Sequence, residues 1–288
     1  MFKSKFTKLA AAVAISAGVI GSANALTIVG GGFKMTVDFY DSASTGYAAG
    51  CSGVAACDLA AGTKALGSIG SVNTSADTMG IFSVASITKV SDNSTWFSRG
   101  ADGYLTGIFG NLMDHEVGIF GSFTQANAIG GTFSLFQNTS DYVTSQGPAV
   151  SAGKDLNNNL YSSISSGLLV LGGQFVPGAV FGDTVTTFTS FFSSGSLSGG
   201  SNGYLDITTG AWQSSFDTNG VDIVGGPLGS KADLFATFTY APTPDASSKD
   251  WTVAGTADIR GGTVPEPGSL ALLALGLIGM GAVTRRKS

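Results

Sequence analysis

Residues 33–40 read FKMTVDFY, and every second side chain in this stretch is apolar. Phe33, Met35, Val37 and Phe39 occupy the alternate positions, and the side chains between them are polar. Successive side chains of a β-strand point to opposite faces, so the pattern predicts a strand with one face in the core and the other in water. An amphipathic helix would repeat its apolar residues every three to four positions instead.

The same alternation continues along the chain. Leu234, Ala236, Phe238 and Tyr240 form a second apolar series. Further strand-like runs, rich in Thr, Val, Ile and Phe, lie at residues 81–90, 104–110, 117–124, 131–137, 168–175, 184–192, 204–208 and 251–259. Short strands separated by turn residues predict an all-β fold. We expect a single antiparallel β-sandwich, jelly-roll-like, over residues 26–264.

The composition excludes several classes of protein. Of 288 residues only 11% are charged, whereas 43 are glycine and 43% are hydrophobic. This hydrophobic content argues against disorder, and the absence of a Gly-X-Y period excludes collagen. The net charge of -5 argues against nucleic acid as the main partner. A single histidine and two cysteines leave few side chains for catalysis, so we expect no enzyme, no catalytic residue and no cofactor.

The N-terminal residues have the organisation of an export signal. Lys3, Lys5 and Lys8 are followed by an apolar run at residues 9–20 and then by the small-x-small sequence Ala23-Asn24-Ala25. This order of a basic, an apolar and a small-residue region predicts a signal peptide over residues 1–25. Signal peptidase is therefore an expected partner, with cleavage after Ala25.

Residues 265–288 are organised in three parts. They are the sequence Pro265-Glu266-Pro267, an apolar run at residues 270–283, and the basic cluster Arg285, Arg286 and Lys287. Fourteen helical residues would span about 21 Å, less than a hydrocarbon core of ~30 Å, which predicts a short transmembrane helix. The basic cluster should stay on the cytoplasmic side and act as a stop-transfer element.

These three parts, in this order, resemble the PEP-CTERM sorting tail of Gram-negative bacteria. The resemblance implies recognition by exosortase, a membrane-embedded cysteine transpeptidase, with processing near Pro265-Glu266-Pro267. It implies a chain anchored in the inner membrane before processing, and then placed at the cell surface or in the extracellular polysaccharide matrix. The resemblance concerns the tail and names no functional residue in residues 26–264.

Cys51 and Cys57 are the only cysteines. In an exported protein, two cysteines predict one disulfide. Metal binding and redox exchange are the functional alternatives for the pair.

Asp114-His115-Glu116 is the densest group of titratable residues. A carboxylate and an imidazole could act as base and acid in principle. The similar sequences GIFG at 107–110 and 118–121 indicate two strands, so we interpret residues 111–117 as the polar connection of a hairpin between them.

Asp217, Asn219 and Asp222 form a calcium candidate, because this hard cation prefers oxygen ligands. The spacing is not that of an EF-hand, and an Asx turn that uses Gly220 is the structural alternative.

Trp96 and Trp212 could contact a saccharide, since aromatic rings pack on apolar faces, whereas Trp251 alternates with core residues. The leading hypothesis is a non-enzymatic surface or matrix protein, structural or adhesive in biofilm or floc formation. A carbohydrate-binding module that holds exopolysaccharide is the alternative, and a secreted hydrolase is the third hypothesis.

Overall fold

A computed structural model describes residues 31–41, 64–65, 78–141, 162–193, 195–243 and 253–264. The signal peptide (1–25), Cys51 and Cys57, Trp251 and the sorting tail (265–288) lie outside the described residues. Within the described ranges, no helix combines the length and the apolar character needed to cross a bilayer.

The described chain is almost entirely β-structure. Its strands are β1 (Gly31–Asp41), β2 (Lys64–Ala65), β3 (Thr78–Lys89), β4 (Thr95–Ser98), β5 (Tyr104–Phe120), β6 (Phe123–Asn138), β7 (Leu168–Val176), β8 (Phe188–Ser193), β9 (Gly199–Thr209), β10 (Val221–Asp222), β11 (Lys231–Ala232), β12 (Leu234–Pro242) and β13 (Val253–Thr263). Two short helices, α1 (Ser162–Ser165) and α2 (Gln213–Phe216), lie between strands. The strand pairs are antiparallel apart from β2 with β5.

The large sheet closes on itself. Hydrogen-bonded neighbours follow the order β5, β3, β1, β13, β12 and β9. The next position is shared end to end by β7 and β8, which both pair with β9 on one side and with β6 on the other. β6 then pairs with β5 along nearly the whole of both strands, which completes a closed barrel with eight strand positions.

The all-β class is confirmed, but the β-sandwich, jelly-roll-like architecture is wrong. Alternation tells which face of a strand is buried, and that face looks the same whether two sheets stack or one sheet closes. The difference lies in the long β5–β6 hairpin, which joins the two ends of the sheet. Residues 111–117, interpreted above as a hairpin loop, lie inside the 17-residue strand β5.

The predicted alternation of β1 is confirmed. Phe33, Met35, Val37 and Phe39 are buried, and the residues between them are only partly so. The buried face of each strand points into the barrel, where aromatic rings meet edge to face. Phe39 and Phe188 each contact Phe238, at centroid distances of 5.4 and 5.5 Å.

Two glycines make room for these rings. In the register of β3 with β5, Gly80 lies opposite Phe109 and Gly107 lies opposite Phe82. A β-carbon at either glycine would overlap the facing phenylalanine ring. An eight-stranded barrel is just wide enough for side chains to fill, so each ring occupies the space that its glycine partner leaves.

The interior that remains is small and apolar. A cavity of about 40 Å³ is lined by side chains such as Met35, Phe82, Phe109, Phe175 and Phe238. This is well below the ~150 Å³ of an apolar cavity that admits benzene. The bore of the barrel is therefore a packed core.

Filling the space opposite a phenylalanine should destabilise the barrel. We expect Gly107→Ala to lower the free energy of unfolding by about 2 kcal/mol, because the core is overpacked, and Phe82→Leu to recover part of this loss in the double variant. Urea unfolding measures both. Gly32→Ala is the matched control, since its β-carbon would approach Val90 no closer than 3.5 Å. Wild-type stability in Gly107→Ala would refute the packing argument.

Candidate functional site

A β-bulge in β5 aims two neighbouring side chains at the same side of the sheet. Asp114 pairs with Ala128 and Glu116 with Asn127, so His115 is the extra residue of the strand. In a regular strand His115 and Glu116 would point to opposite faces, but two residues that oppose one across a bulge share a face. Both are buried, with exposures of 1% and 8%.

The segment 177–187, between β7 and β8, covers this bulge. The Thr187 amide donates to the Ala128 carbonyl at 2.9 Å, and its hydroxyl donates to the Gly130 carbonyl at 2.7 Å. This anchor on β6 places Thr186 and Asp183 beside His115. The outer wall of the barrel and the segment thus enclose a polar cluster, which we call the His115 cluster: His115, Glu116, Asp183 and Thr186.

The hydrogen bonds within the His115 cluster have a defined direction. Thr186 Oγ1 donates to Asp183 Oδ2 at 2.5 Å, since a carboxylate can only accept. The hydroxyl has a single proton, so at its 2.8 Å contact with His115 Nε2 the imidazole N–H is the donor. His115 Nε2 therefore carries a proton in this arrangement.

Both carboxylates of the cluster are held by further donors. Asp183 Oδ1 accepts from the backbone amides of Val185 at 2.7 Å and Thr186 at 3.2 Å. Burial opposes ionisation of Asp183, but the Thr186 and Val185 hydrogen bonds and the charge of His115 outweigh it and lower the pKa of this carboxyl.

Glu116 Oε2 accepts from Asn127 Nδ2 at 3.1 Å. Asn127 is itself held by Thr189, whose hydroxyl donates to Asn127 Oδ1 at 2.8 Å. In the backbone register, Lys64 of β2 is the partner of Glu116. The carboxylates of Glu116 and Asp183 thus both have a fixed orientation.

The cluster offers one imidazole nitrogen and two carboxylate oxygens. One potential ligand atom from each of His115, Glu116 and Asp183 lies within 4.8 Å of the others. Nitrogen and oxygen donors together are the set that divalent transition cations accept. Sequence reasoning had singled out His115 and Glu116 but missed Asp183, which is 68 residues away and carries no local pattern that points to it.

In the structure the residues of the calcium candidate, Asp217, Asn219 and Asp222, have different partners. Asn219 Nδ2 lies 3.5 Å from Asp217 Oδ1, but Asp222 is paired with Lys231 across the β10–β11 ribbon. The backbone amide of Asn219 donates instead to Asp233 Oδ1 at 2.7 Å.

Asp233 organises the neighbouring acidic residues. Its buried carboxylate accepts the backbone amides of Ile207, Thr218 and Asn219 at 2.6–2.8 Å. Asp206 lies close by. Burial, followed by the negative charges of Asp233 and Asp217, raises the pKa of Asp206.

The structure brings the two predicted saccharide contacts together. Trp96 and Trp212 both stack on Phe216 of α2, at centroid distances of 6.1 and 5.9 Å and interplanar angles of 3° and 17°. Trp212 is enclosed, with 9% exposure, whereas Trp96 is half-buried. Trp96 is therefore the ring of this pair that is open to solvent.

Three aromatic side chains are exposed at the β5–β6 turn and on the neighbouring strand β8. Phe120 and Phe123 flank the β5–β6 turn, and Phe191 of β8 stacks on Phe123 at a centroid distance of 5.3 Å and an angle of 11°. All three are about half exposed. We call Phe120, Phe123 and Phe191 the aromatic patch. Contiguous apolar surface of this kind is typical of interaction sites.

The comparison with known protein families concerns the tail. A model of the PEP-CTERM protein-sorting motif matches residues 263–287. The match confirms the resemblance and supports an exported protein that is handled by exosortase at the membrane. No curated protein and no solved structure gave a significant match to the chain.

Removing the charge of Asp206 should stabilise the protein at neutral pH. Its pKa is raised in the folded state, so ionisation opposes folding above that pKa, and the penalty disappears below the ordinary value of 3.8. We expect Asp206→Asn to gain about 0.5 kcal/mol at pH 7, since solvent screens the charge of this partly buried group, and nothing at pH 3. Urea midpoints at both pH values test this. Asp222→Asn, which loses the Lys231 pair, should show no gain; an equal gain in that control would contradict the explanation.

Proposed function

We propose that this chain is a non-enzymatic exported protein with a structural or adhesive role at the cell surface or in the extracellular matrix, in biofilm or floc formation. The observation that carries the proposal is the sorting motif at residues 263–287. A chain that is routed through exosortase acts outside the cytoplasm, and the β-barrel is then the part that meets the surroundings.

The route to that location has three steps in this proposal. Signal peptidase cleaves after Ala25 during export. The apolar run at 270–283 and the basic cluster Arg285, Arg286 and Lys287 then hold the chain in the inner membrane. Exosortase processes the chain near Pro265-Glu266-Pro267 and releases the barrel from this anchor.

The aromatic patch supports an adhesive role. Phe123 and Phe191 expose stacked rings at the end of a long hairpin, and Phe120 extends the apolar surface around the turn. Full burial of an exposed phenylalanine side chain is worth about 1.5–3 kcal/mol, so a partner that covers the exposed half of each ring gains about half of that. Many copies of such a patch in a matrix would act together, because linked weak contacts add avidity.

Replacing Pro265-Glu266-Pro267 by three alanines should block sorting. We expect the variant to stay in the inner membrane with residues 265–288 attached, whereas the wild-type chain recovered from the surface or medium should begin at Leu26 and end near residues 265–267. Intact mass of each fraction measures both ends, and excess mass would report attached groups. Identical location and mass for variant and wild type would contradict the proposal. An alanine triplet at residues 143–145 is a control that leaves the tail unchanged.

Polar substitution of the aromatic patch should reduce adhesion without affecting sorting. We expect Phe123→Ser with Phe191→Ser to lower the fraction of aggregated cells several-fold in the producing bacterium, with equal amounts of protein at the surface. The matched control is Phe181→Ser, which removes a ring that is 86% exposed in the segment 177–187. Unchanged aggregation in the double variant would refute the adhesive role of the patch.

The same assay tests the alternative of a carbohydrate-binding module. The observation that favours it is the half-buried Trp96, whose ring is fixed by stacking on Phe216 and can present a preorganised face to a sugar. Loss of aggregation in Trp96→Ala but not in the patch variant, together with loss of retardation in a gel that contains the producer's own polysaccharide, would favour the module. Trp212→Ala is unsuited to this test, since Trp212 belongs to the core.

A further inference from the structure

We propose that the His115 cluster is a zinc site in which His115, Glu116 and Asp183 are the protein ligands. The inference is independent of the adhesive role and of the sorting tail. It rests on the convergence of one imidazole and two carboxylates from two separate chain segments at the outer wall of the barrel.

The first argument is the bulge. A bulge interrupts the hydrogen-bond ladder, bends the strand and changes the direction of its side chains. At His115 this interruption turns two consecutive side chains to one side and buries both. The result is a pair of ligands of different chemistry on a rigid strand, and rigid elements hold metal ligands better than loops do.

The second argument is the support behind each ligand. Asn127 orients Glu116, and Thr189 orients Asn127. The amides of Val185 and Thr186 fix Asp183 Oδ1, and the Thr186 hydroxyl, which also contacts His115, fixes Oδ2. Outer-shell hydrogen bonds of this kind orient ligands in metal sites.

Zinc binding needs an imidazole nitrogen without a proton and a contraction of the ligand set. Zinc binds nitrogen and oxygen at about 2.0–2.2 Å, which separates ligand atoms by about 3.3 Å in a tetrahedron. The three ligand atoms now lie within 4.8 Å of one another. Asp183 lies outside the strands, so the segment 177–187 can close this gap while β5 stays in place. A water molecule would complete the coordination.

The donor set selects zinc over the hard cations. Calcium and magnesium take all-oxygen environments with several waters, whereas imidazole is a regular ligand of zinc. The carboxylates neutralise the charge of the ion, and the ion in turn stabilises two carboxylates held close together. Zinc would link β5 to the segment 177–187, in addition to the Thr187 hydrogen bonds.

The single histidine of the chain provides a direct test in the wild-type protein. The ¹⁵N-labelled full chain is prepared in detergent without a histidine tag, and the imidazole signals of His115 are followed as Zn²⁺ is added. We expect one ring nitrogen to shift and the shift to saturate at one zinc per chain, while Ca²⁺ and Mg²⁺ leave it unchanged. Imidazole signals that do not respond to zinc overturn the proposal, even if the chain binds zinc elsewhere.

Variants assign the carboxylates. Cys51→Ser with Cys57→Ser serves as the background, because thiolates also bind zinc. We expect Glu116→Gln and Asp183→Asn, each of which keeps one acceptor oxygen and removes the negative charge, to weaken zinc binding at least about 10-fold in calorimetry. Asp217→Asn and Asp222→Asn, the acids of the predicted calcium candidate, are the matched controls and should bind as the background does. Equal affinity in Asp183→Asn and the background overturns the assignment.

Discussion

The interior of this barrel depends on phenylalanine rings that lie opposite glycines. Eight strand positions leave a bore that side chains alone can fill, and rings as large as those of Phe82 and Phe109 fit when the neighbouring strand has no side chain at the facing position. The same constraint recurs at Gly131, Gly173 and Gly203, where an added β-carbon would lie 2.7–3.0 Å from a ring atom of Phe175 or Phe133. A glycine in a strand costs roughly 0.5–1 kcal/mol relative to alanine, while a buried ring contributes about 1.5–3 kcal/mol, so each reciprocal pair is favourable overall.

Closure of the barrel also explains where the polar cluster lies. β5 and β6 are far longer than their neighbours, and each pairs with different strands along its two halves. Between these halves Asn111 has φ 60°, and Gly130 and Gly131 have φ 74° and 96°, so both strands bend at the same level. The bulge at His115 follows directly after this bend. The irregularities that let one hairpin close the barrel therefore also turn His115 and Glu116 towards the segment 177–187.

Sequence reasoning succeeded where the determinant is local. Alternation identified β1 and β12, and the order of Pro265-Glu266-Pro267, apolar run and basic cluster identified the sorting motif. It failed where the determinant is a contact between distant residues. Closure requires β6 to meet β5, β7 and β8 at once, and no period in the sequence encodes that. From the sequence we interpreted Asp114-His115-Glu116 as part of a loop, because three polar residues interrupt an apolar pattern. In the structure a bulge keeps these residues within β5.

The segment 177–187 connects the buried His115 cluster with an exposed apolar surface. Thr187 ties it to β6, and the Gly182 amide donates to the Gly225 carbonyl at 3.0 Å, which ties it to the turn after β10. Between these two anchors, the bonds from Asp183 through Thr186 to His115 hold its middle. Phe181 and Val185 project outward from the same few residues, and Val224 and Leu228 are exposed on the neighbouring turn. The apolar surface of a segment outside the strands keeps its shape only as well as its backbone is fixed. The hydrogen bonds of Thr187, of Gly182 and of the His115 cluster therefore fix the backbone that carries Phe181 and Val185.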